Sequence, residues 1–492
     1  MSTSIKWLTA PETGGHALQQ GAEIKPIFMD RATADPEYVS GIARTKRFLE
    51  RWSADPAFRE QVHADPYGLS ARYGLEADPE EIRLLWDTEA LARHTEGEPV
   101  PLAVRRYESF IREKLQFREV IRAASAPQEP RLKAWRRRQM YRAVSELGLA
   151  KSHGIVHAPV CFELAKGCSV GCWFCGVSAP KLEDIFLYTK QNALLWRETL
   201  EAVRDLLGPA AAHGFCYWAT DPLDNPDYER FLTDFADILG DFPQTTTAIP
   251  MRDPARVRGL LKLSRERGGK LDRFSVLTLG ILDKVHAEYS ADELAFVELV
   301  TQNKGTIGSK AFAGRARKFD RSRAQDNGDA LDDTLSGTVA CVSGFLFNMV
   351  ERTVRLVSPC NANERWSMGY RVYAQGTFNS GKDLRELLEK MIADNMPASV
   401  THRDPVRFQR HLKYEELEDG FQVSSTLTTQ TFDHLPHARH LGRVVADADK
   451  TAGEIALLLQ DEHDIPLHET FHALNILFSN GVLDDEPAHG GN

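Results

Sequence analysis

The sequence predicts an α/β protein: a barrel of parallel strands and helices, preceded by a helical region and followed by a small strand–helix unit. Three observations predict it. Residues 155 to about 360 alternate strand-like apolar runs with helix-like stripes, the pattern of a parallel β/α barrel. Residues 40 to 150 carry helical periodicity alone. Residues 421 to 485 open with strand alternation and close with two helix patterns. The 492 residues accordingly divide into a flexible N-terminus (1–38), a helical and connecting region (39–150), a central α/β domain (151–415) and a C-terminal domain (416–492).

Composition excludes several classes. Hydrophobic residues make up 42% and charged residues 26%, values ordinary for a globular chain in water. A net charge of −10 gives no footing for nucleic acid as a partner. Met1 to Lys25 is polar and glycine-rich, unlike a signal segment, and no apolar run reaches membrane-span length. Seven cysteines, odd in number and mostly isolated, do not form a secreted disulfide framework. The expected location is cytoplasmic, with no membrane and no nucleic-acid partner.

In chain order, residues 40 to 95 read as short helices separated by Asp-Pro stops. Phe48, Leu49 and Trp52 recur at helical spacing. Asp55-Pro56 and Asp65-Pro66 each place proline at a helix start behind an aspartate cap. Gly74 ends the third helix and Pro79-Glu80-Glu81 opens a fourth. By itself this is a small helical cap. The run FLERW, DPAFRE, DPYGL, YGL also resembles helical leader peptides of the Nif11 type, which belong to precursors of ribosomally made, modified peptides. Residues 101 to 150 read as two long helices, the first striped by Leu102, Tyr107, Phe110 and Leu115. The basic run Lys133 to Arg142 in the second reads as a solvated face. A surface that touches an acidic peptide is the other reading.

The central domain opens with an apolar run, Val156 to Leu164, leading into FELAKGCSVGCWFCG. Cys168, Cys172 and Cys175 form a C-x3-C-x2-C cluster. Three soft thiolates in one loop hold three irons of a [4Fe–4S] cluster and leave the fourth iron open to a small molecule. A zinc knuckle is the alternative, but no C-x2-C or H-x3-H partner lies nearby to complete tetrahedral zinc. The spacing, with the aromatic pair Trp173-Phe174 before the last cysteine, resembles the signature of radical S-adenosylmethionine (SAM) enzymes. That resemblance implies a partial (β/α)6 TIM-type barrel, a [4Fe–4S] cluster, SAM, and an electron donor of flavodoxin or ferredoxin type.

Further on, GFCYWATDPLDNPDYERF (214–231) is an aromatic strand ending in Ala219-Thr220-Asp221-Pro-Leu. It resembles the Gly-Gly-Glu-Pro-Leu segment at the second strand end of radical SAM barrels, where backbone binds the methionine amino group of SAM. Small residues there still permit close approach. Two more strand runs follow, Gln244 to Pro250 and Arg273 to Leu279. Strand ends line the active face of such barrels, which makes Arg252 and Ser275 candidates for SAM ribose or carboxylate contacts, against ordinary capping or surface roles. Residues 313 to 335 are charged and glycine-punctuated, a mobile surface loop. Two strand runs then carry Cys341 and Cys360.

The cysteines outside the loop are too scattered for a second cluster. The segments FELAKGCSVGCWFCGVSAPKL, YWATDPLDNPDY, CVSGFLFNMVERTVRLVSPCNANERW and GYRVY together resemble proteusin-type radical SAM peptide epimerases. That resemblance implies conversion of L- to D-residues: a 5′-deoxyadenosyl radical removes a Cα hydrogen, and a thiol returns one to the opposite face. Cys360, at its turn, is the expected donor for its exposure, with Cys341 as the alternative. Other radical SAM peptide modifications, such as crosslinking or oxidative cleavage, and a non-catalytic leader-binding scaffold stay open. In the C-terminal segment, Thr451-x-x-Glu454 is a capping box opening a helix. Phe471, Leu474, Leu477 and Phe478 stripe a second helix, ended by Asn480-Gly481 before a short strand at Val482-Leu483. This order resembles the winged-helix leader-recognition domains of the PqqD type, which implies a precursor peptide with a leader as partner. A DNA-binding winged helix needs a basic recognition helix, and His468 to Ser479 has no Lys or Arg.

Overall fold

The computed structural model describes residues 24, 26–29, 31, 33–95, 97–308, 312–319, 337–435 and 437–487. The chain is a mixed α/β protein of two compact units, one of residues 1–117 with 289–296, the other of residues 118–288 with 297–492. The expected 39–150 region therefore divides: its last long helix belongs with the α/β unit. The N-terminus of residues 1–38, expected to be flexible, falls largely outside the described residues, as does most of the loop expected at 313–335, whose residues 314–319 are helical.

The first unit is built by its aspartates. Asp35, Asp55 and Asp65 cap the helices Pro36–Ala54, Pro56–Gln61 and Pro66–Arg72, each with proline in the first turn. Their carboxylates take amide protons that the helix itself leaves unpaired. The third helix ends at Tyr73, before Gly74. The fourth helix does not start at Pro79. Asp78 accepts the Glu80 amide there, but only a 3₁₀ turn, Arg83–Leu85, follows, and the next helix is Thr88–Arg93 behind Asp87. Phe48, Phe58, Val62, Leu69, Leu75, Ile82 and Trp86 make its buried core. Each such side chain contributes about 1.5–3 kcal/mol by leaving water.

The second unit is organised by two sheets. Strand β1 (Ala158–Glu163) is buried throughout, and two short strands, β2 (Ala165–Lys166) and β3 (Asp184–Ile185), pair beyond it. Strands β4 (Thr246–Thr247), β5 (Asp272–Val276) and β6 (Val297–Thr301) form a parallel sheet. Strands β7 (Val342–Asn348), β8 (Thr353–Pro359) and β9 (Tyr370–Thr377) extend β1, in the order β1-β7-β8-β9, with β7 parallel to β1 and the rest antiparallel. The aromatic strand expected at 214–218 is reduced to one parallel bridge, Phe215 to Cys161. The expected strand at 244–250 likewise shrinks to β4. The helix Lys190–Leu207 packs outside β1: Phe162 meets Trp196 at 4.9 Å and stacks on Phe347 at 5.0 Å.

The C-terminal part carries β10 (Pro405–Val406), then β11 (Lys413–Glu416), β12 (Phe421–Ser424) and β13 (Thr429–Phe432) as an antiparallel meander. The helix Ala438–Ala446, β14 (Lys450–Thr451) paired to β10, and the helices Ala452–His463 and Leu467–Ser479 complete it. The capping box at Thr451 and Glu454 is formed in full. Leu483 makes a bridge to Phe408 where a wing strand was expected. The core of this part reaches back to Val400, Val406 and Phe408, so it starts ahead of residue 416. No helix among the described residues is long and apolar enough to cross a membrane.

Candidate functional site

Strand β1 sends alternate side chains to opposite faces. Phe162 faces the helices, while Cys161 and Glu163 face the interior beside Phe215, Leu346 and Tyr370. The chain leaves β1 through β2 and enters the cysteine loop at Gly167. That residue has φ +84°, and a Cβ there would lie 2.1 Å from the Lys181 carbonyl oxygen, so glycine is required. The Cys168 amide donates to the Pro180 carbonyl at 2.9 Å and closes the loop on itself. At its far side Gly314 makes a second close approach: a Cβ would sit 2.6 Å from the Cys175 carbonyl oxygen. The Arg315 amide donates to that carbonyl at 3.0 Å, and the Ala179 amide donates to Cys175 Sγ at 3.4 Å.

Cys168, Cys172 and Cys175 are all partly exposed and unpaired. Burial, with Cys175 and Cys168 as neighbours, pushes the Cys172 thiol up to about 11. The three thiols therefore lie within electrostatic reach of one another. Among the described residues no three His, Cys, Asp or Glu side chains are grouped to hold a metal ion. A four-iron cluster asks for something else, one thiolate per iron. Three thiols suit it in donor chemistry, with the Asp221 and Asp224 carboxylates within electrostatic reach of Cys168, and a cation bound there would draw off the thiol protons. Trp173, half exposed, stands edge-on to Phe174 at 5.3 Å and against Phe319 at 4.8 Å.

The loop is tied to the neighbouring strand ends. Ser169 donates its amide to Asp224 at 2.9 Å and its hydroxyl to the same carboxylate. Arg252 donates to Asp224 at 2.8 Å and to Ser169 Oγ at 2.6 Å. Arg252 is thus a brace of the cysteine loop, a role the sequence did not suggest. Ser275 lies on the same face of β5 as Arg273 and is partly exposed.

The segment Ala219-Thr220-Asp221 follows the single bridge of Phe215 to Cys161 on β1. The Ala219 amide donates to Glu163 at 2.8 Å. Asp221, however, turns its carboxylate to the next strand, accepting the Thr247 hydroxyl at 2.8 Å and the Ala248 amide at 2.7 Å. Burial raises its pKa to about 6. Thr220 is buried and bonds locally, to the Asp221 carbonyl.

Glu163 is a site residue that no motif in the sequence marks. Its carboxylate is 3% exposed, accepts Ala219 N–H and Asn348 Nδ2 (3.0 Å), and is raised by burial against the opposing pull of Arg355. A lone acid closing an otherwise apolar strand was the available signal. Asn348, at the matching end of β7, pairs with Glu163 in the strand register.

The two candidate donor thiols differ in exposure. Cys360 is 0% exposed, so its turn position does not open it to a cavity. Burial pushes it up to about 12. Cys341 is partly exposed and, like Tyr217, Trp218 and Met368, packs against the interior cluster that contains Cys161 and Tyr370. Burial pushes it up to about 11, with Arg273 opposing. The basic run also departs from the solvated face that was expected: Arg136, Arg138 and Arg142 are buried.

The site thus belongs to a mixed α/β protein with parallel strands and a three-cysteine loop beyond the first of them. The chain belongs to the family of "Uncharacterized protein y4wI" of Sinorhizobium fredii (strain NBRC 101917 / NGR234). It is 37% identical to that protein over 485 residues, 96% of this chain and 93% of the relative. No family model matches. Among solved structures it is similar to "Crystal structure of BtrN in complex with AdoMet and 2-DOIA", at a TM-score of 0.26 and 14% identity over 40% of this chain and 71% of that one.

Proposed function

We propose that the chain is a radical SAM enzyme that converts L- to D-residues in a ribosomally made precursor peptide. The observation that carries this reading is the loop of Cys168, Cys172 and Cys175, whose donors are thiols alone and whose Ser169 is tied through Asp224 and Arg252 to the adjacent strand ends. A [4Fe–4S] cluster with an open iron supplies, together with SAM, one-electron chemistry able to abstract an unactivated hydrogen.

The chain's own residues position and finish the reaction. Glu163 holds the Ala219 amide, which fixes the backbone offered to the amino group of SAM. Asp221 fixes the same segment from the other side through Thr247 and Ala248. Trp173 and Phe174 flank the cysteines. Inversion needs a hydrogen atom returned from the opposite face, and a thiolate has none to give. Burial keeps both Cys341 and Cys360 as thiols at neutral pH. Access favours Cys341, the partly exposed one, over Cys360. In the C-terminal part, β11 and β13 are the outer strands of their sheet, edges that a leader peptide extends as an added strand. A flavodoxin- or ferredoxin-type protein is the electron donor.

Anaerobic reconstitution followed by SAM and a strong reductant tests this reading. Formation of 5′-deoxyadenosine that disappears in Cys168→Ala, Cys172→Ala and Cys175→Ala supports it. A loaded cluster that leaves SAM intact, with precursor peptide present, makes the chain a binding scaffold.

A further inference from the structure

Behind β9 lies a cavity of about 420 Å³ whose lining includes Arg142, Arg365, Trp366, Arg371, Arg410 and His411. The sequence draws these from the basic helix, the 360–369 loop and the C-terminal part. Four guanidiniums around one cavity repel one another unless anions enter. Part of the answer is Glu146, on the basic helix, which accepts Arg142 at 3.0 Å and Arg371 at 2.6 Å. Burial pushes Glu146 up, but the two arginines outweigh it and bring it down to about 2.

The rest comes from a distant acidic segment. Glu486 accepts from Arg371 Nε at 2.8 Å, and also from Arg142 and from the indole N–H of Trp366. Asp485 accepts from Gln139 at 2.9 Å and from Arg142, and the Pro487 carbonyl accepts from Arg365. Even so the cavity is not satisfied. Arg371 is 4% exposed, and its Nη1 has no hydrogen-bond partner; the buried Oδ1 of Asn361 has none either. A buried guanidinium N–H left unpaired is destabilising. The wall therefore offers one donor and one acceptor more than Asp485-Glu486-Pro487 uses.

This cavity is wired to the candidate active site. Glu146 Oε2 accepts the Asn361 amide at 3.1 Å, immediately after Cys360. The Cys360 amide donates to Gly369 O at 2.9 Å. Gly314 donates to Ser367 O at 2.7 Å, and the next residue, Arg315, holds the Cys175 carbonyl. The loop between Cys360 and Gly369 thus runs from the basic cavity to the cysteine loop.

We propose that the cavity is a binding site for an acidic peptide segment, and that Asp485-Glu486-Pro487 fills it as an internal mimic that such a peptide displaces. The occupant presents a carboxylate to Arg142, Arg371 and Trp366, as Glu486 does, and adds an acceptor for Arg371 Nη1 and a donor for Asn361 Oδ1, as peptide backbone provides. The proposal does not rest on the reaction assigned above, since it concerns binding alone.

The probe is a fluorescently labelled synthetic peptide with this chain's own sequence from Leu483 to Gly491, added to the full-length chain and followed by anisotropy. The double variant D485N/E486Q removes the two carboxylates that the mimic gives to Arg142 and Arg371, leaving Glu146 and Asp484 in the lining, and should bind the probe at least tenfold more tightly than the unaltered chain. Trp366→Phe or Arg365→Ala placed on top should abolish that gain. Equal binding by both chains, or equal binding of a probe with Asn and Gln in place of its acids, overturns the proposal. Competition by millimolar inorganic phosphate as effective as unlabelled peptide also overturns it, by making the cavity a simple anion site. Hydrogen exchange on the unaltered chain guards against a misfolded variant. Saturating probe should deprotect the amides of Asp485 and Glu486, and unchanged protection counts against displacement.

Discussion

The carboxylate of Glu163 receives the backbone amide of Ala219 at 2.8 Å. One residue closes β1 before the cysteine loop, and the other begins the segment expected to bind SAM. Glu163→Gln places an amide where either Ala219 N–H or Asn348 Nδ2 must face a donor. The substitution should cost about 1–3 kcal/mol of stability by urea denaturation. It should also weaken SAM binding by about tenfold, the equivalent of about 1.4 kcal/mol. Unchanged SAM binding at equilibrium dialysis would separate Glu163 from the cofactor segment.

Asp224 is the shared partner of Ser169 and Arg252. Ser169→Ala removes the hydroxyl that both of them contact. The expected outcome is a protein that folds but holds less iron and sulfide after reconstitution than the unaltered chain. Arg252→Lys, which loses the forked geometry, should fall between the two. Full iron content in both variants would reduce the brace to a surface contact.

Loss of the Cys341 thiol should leave SAM cleavage intact and stop D-residue formation. Cys341→Ala removes one sulfur from the interior cluster, so its folding should be checked by thermal melt. Cys360→Ala, at a fully sealed position, should lower stability and leave inversion in place. The opposite pattern would return the donor role to Cys360.

His157 gives a pH dependence with a definite sign. It is 1% exposed, bonds Ser343 Oγ at 2.8 Å through Nδ1, and has Arg136 and Arg122 nearby. Burial, with those arginines, lowers its pKa to about 3. Between about 3 and the unfolded value near 6.5 the unfolded chain binds the extra proton, so this contribution to stability is complete above pH 6.5 and is lost as pH falls toward 3. Near pH 4 the loss is on the order of 3 kcal/mol. His157 also has φ +52°, which Asn tolerates better than most residues. The variant His157→Asn should flatten the acid limb of the stability profile, and an unaltered limb would assign it to other groups.

What the sequence disclosed was local. Asp35, Asp55 and Asp65 cap helices through amides two or three residues away, so Asp-Pro announces the helix start wherever the rest of the chain lies. The cysteine loop is local in the same sense. The burial of Arg142 was hidden because its partners, Asp485 and Glu486, lie at the other end of the chain. A basic run without visible anions reads as a wet surface. Glu163 was hidden for a related reason: its partners Ala219 and Asn348 come together only when the strands align. The aromatic run at 214–218 kept its place beside β1 but not its strand, since Ala219 gives its amide to Glu163 in place of a ladder partner. Exposure of Cys360 was inferred from a turn, and turns are sealed when another element packs over them, here Glu146 and Arg371.

The most direct test of the central claim is the mass of a precursor peptide after reaction with the reconstituted enzyme, SAM and reductant in D2O. Inversion through a thiol predicts a gain of a single deuterium at Cα for each D-residue formed, with no other change in mass. A loss of hydrogens, a crosslink, or a D-residue without deuterium would contradict it.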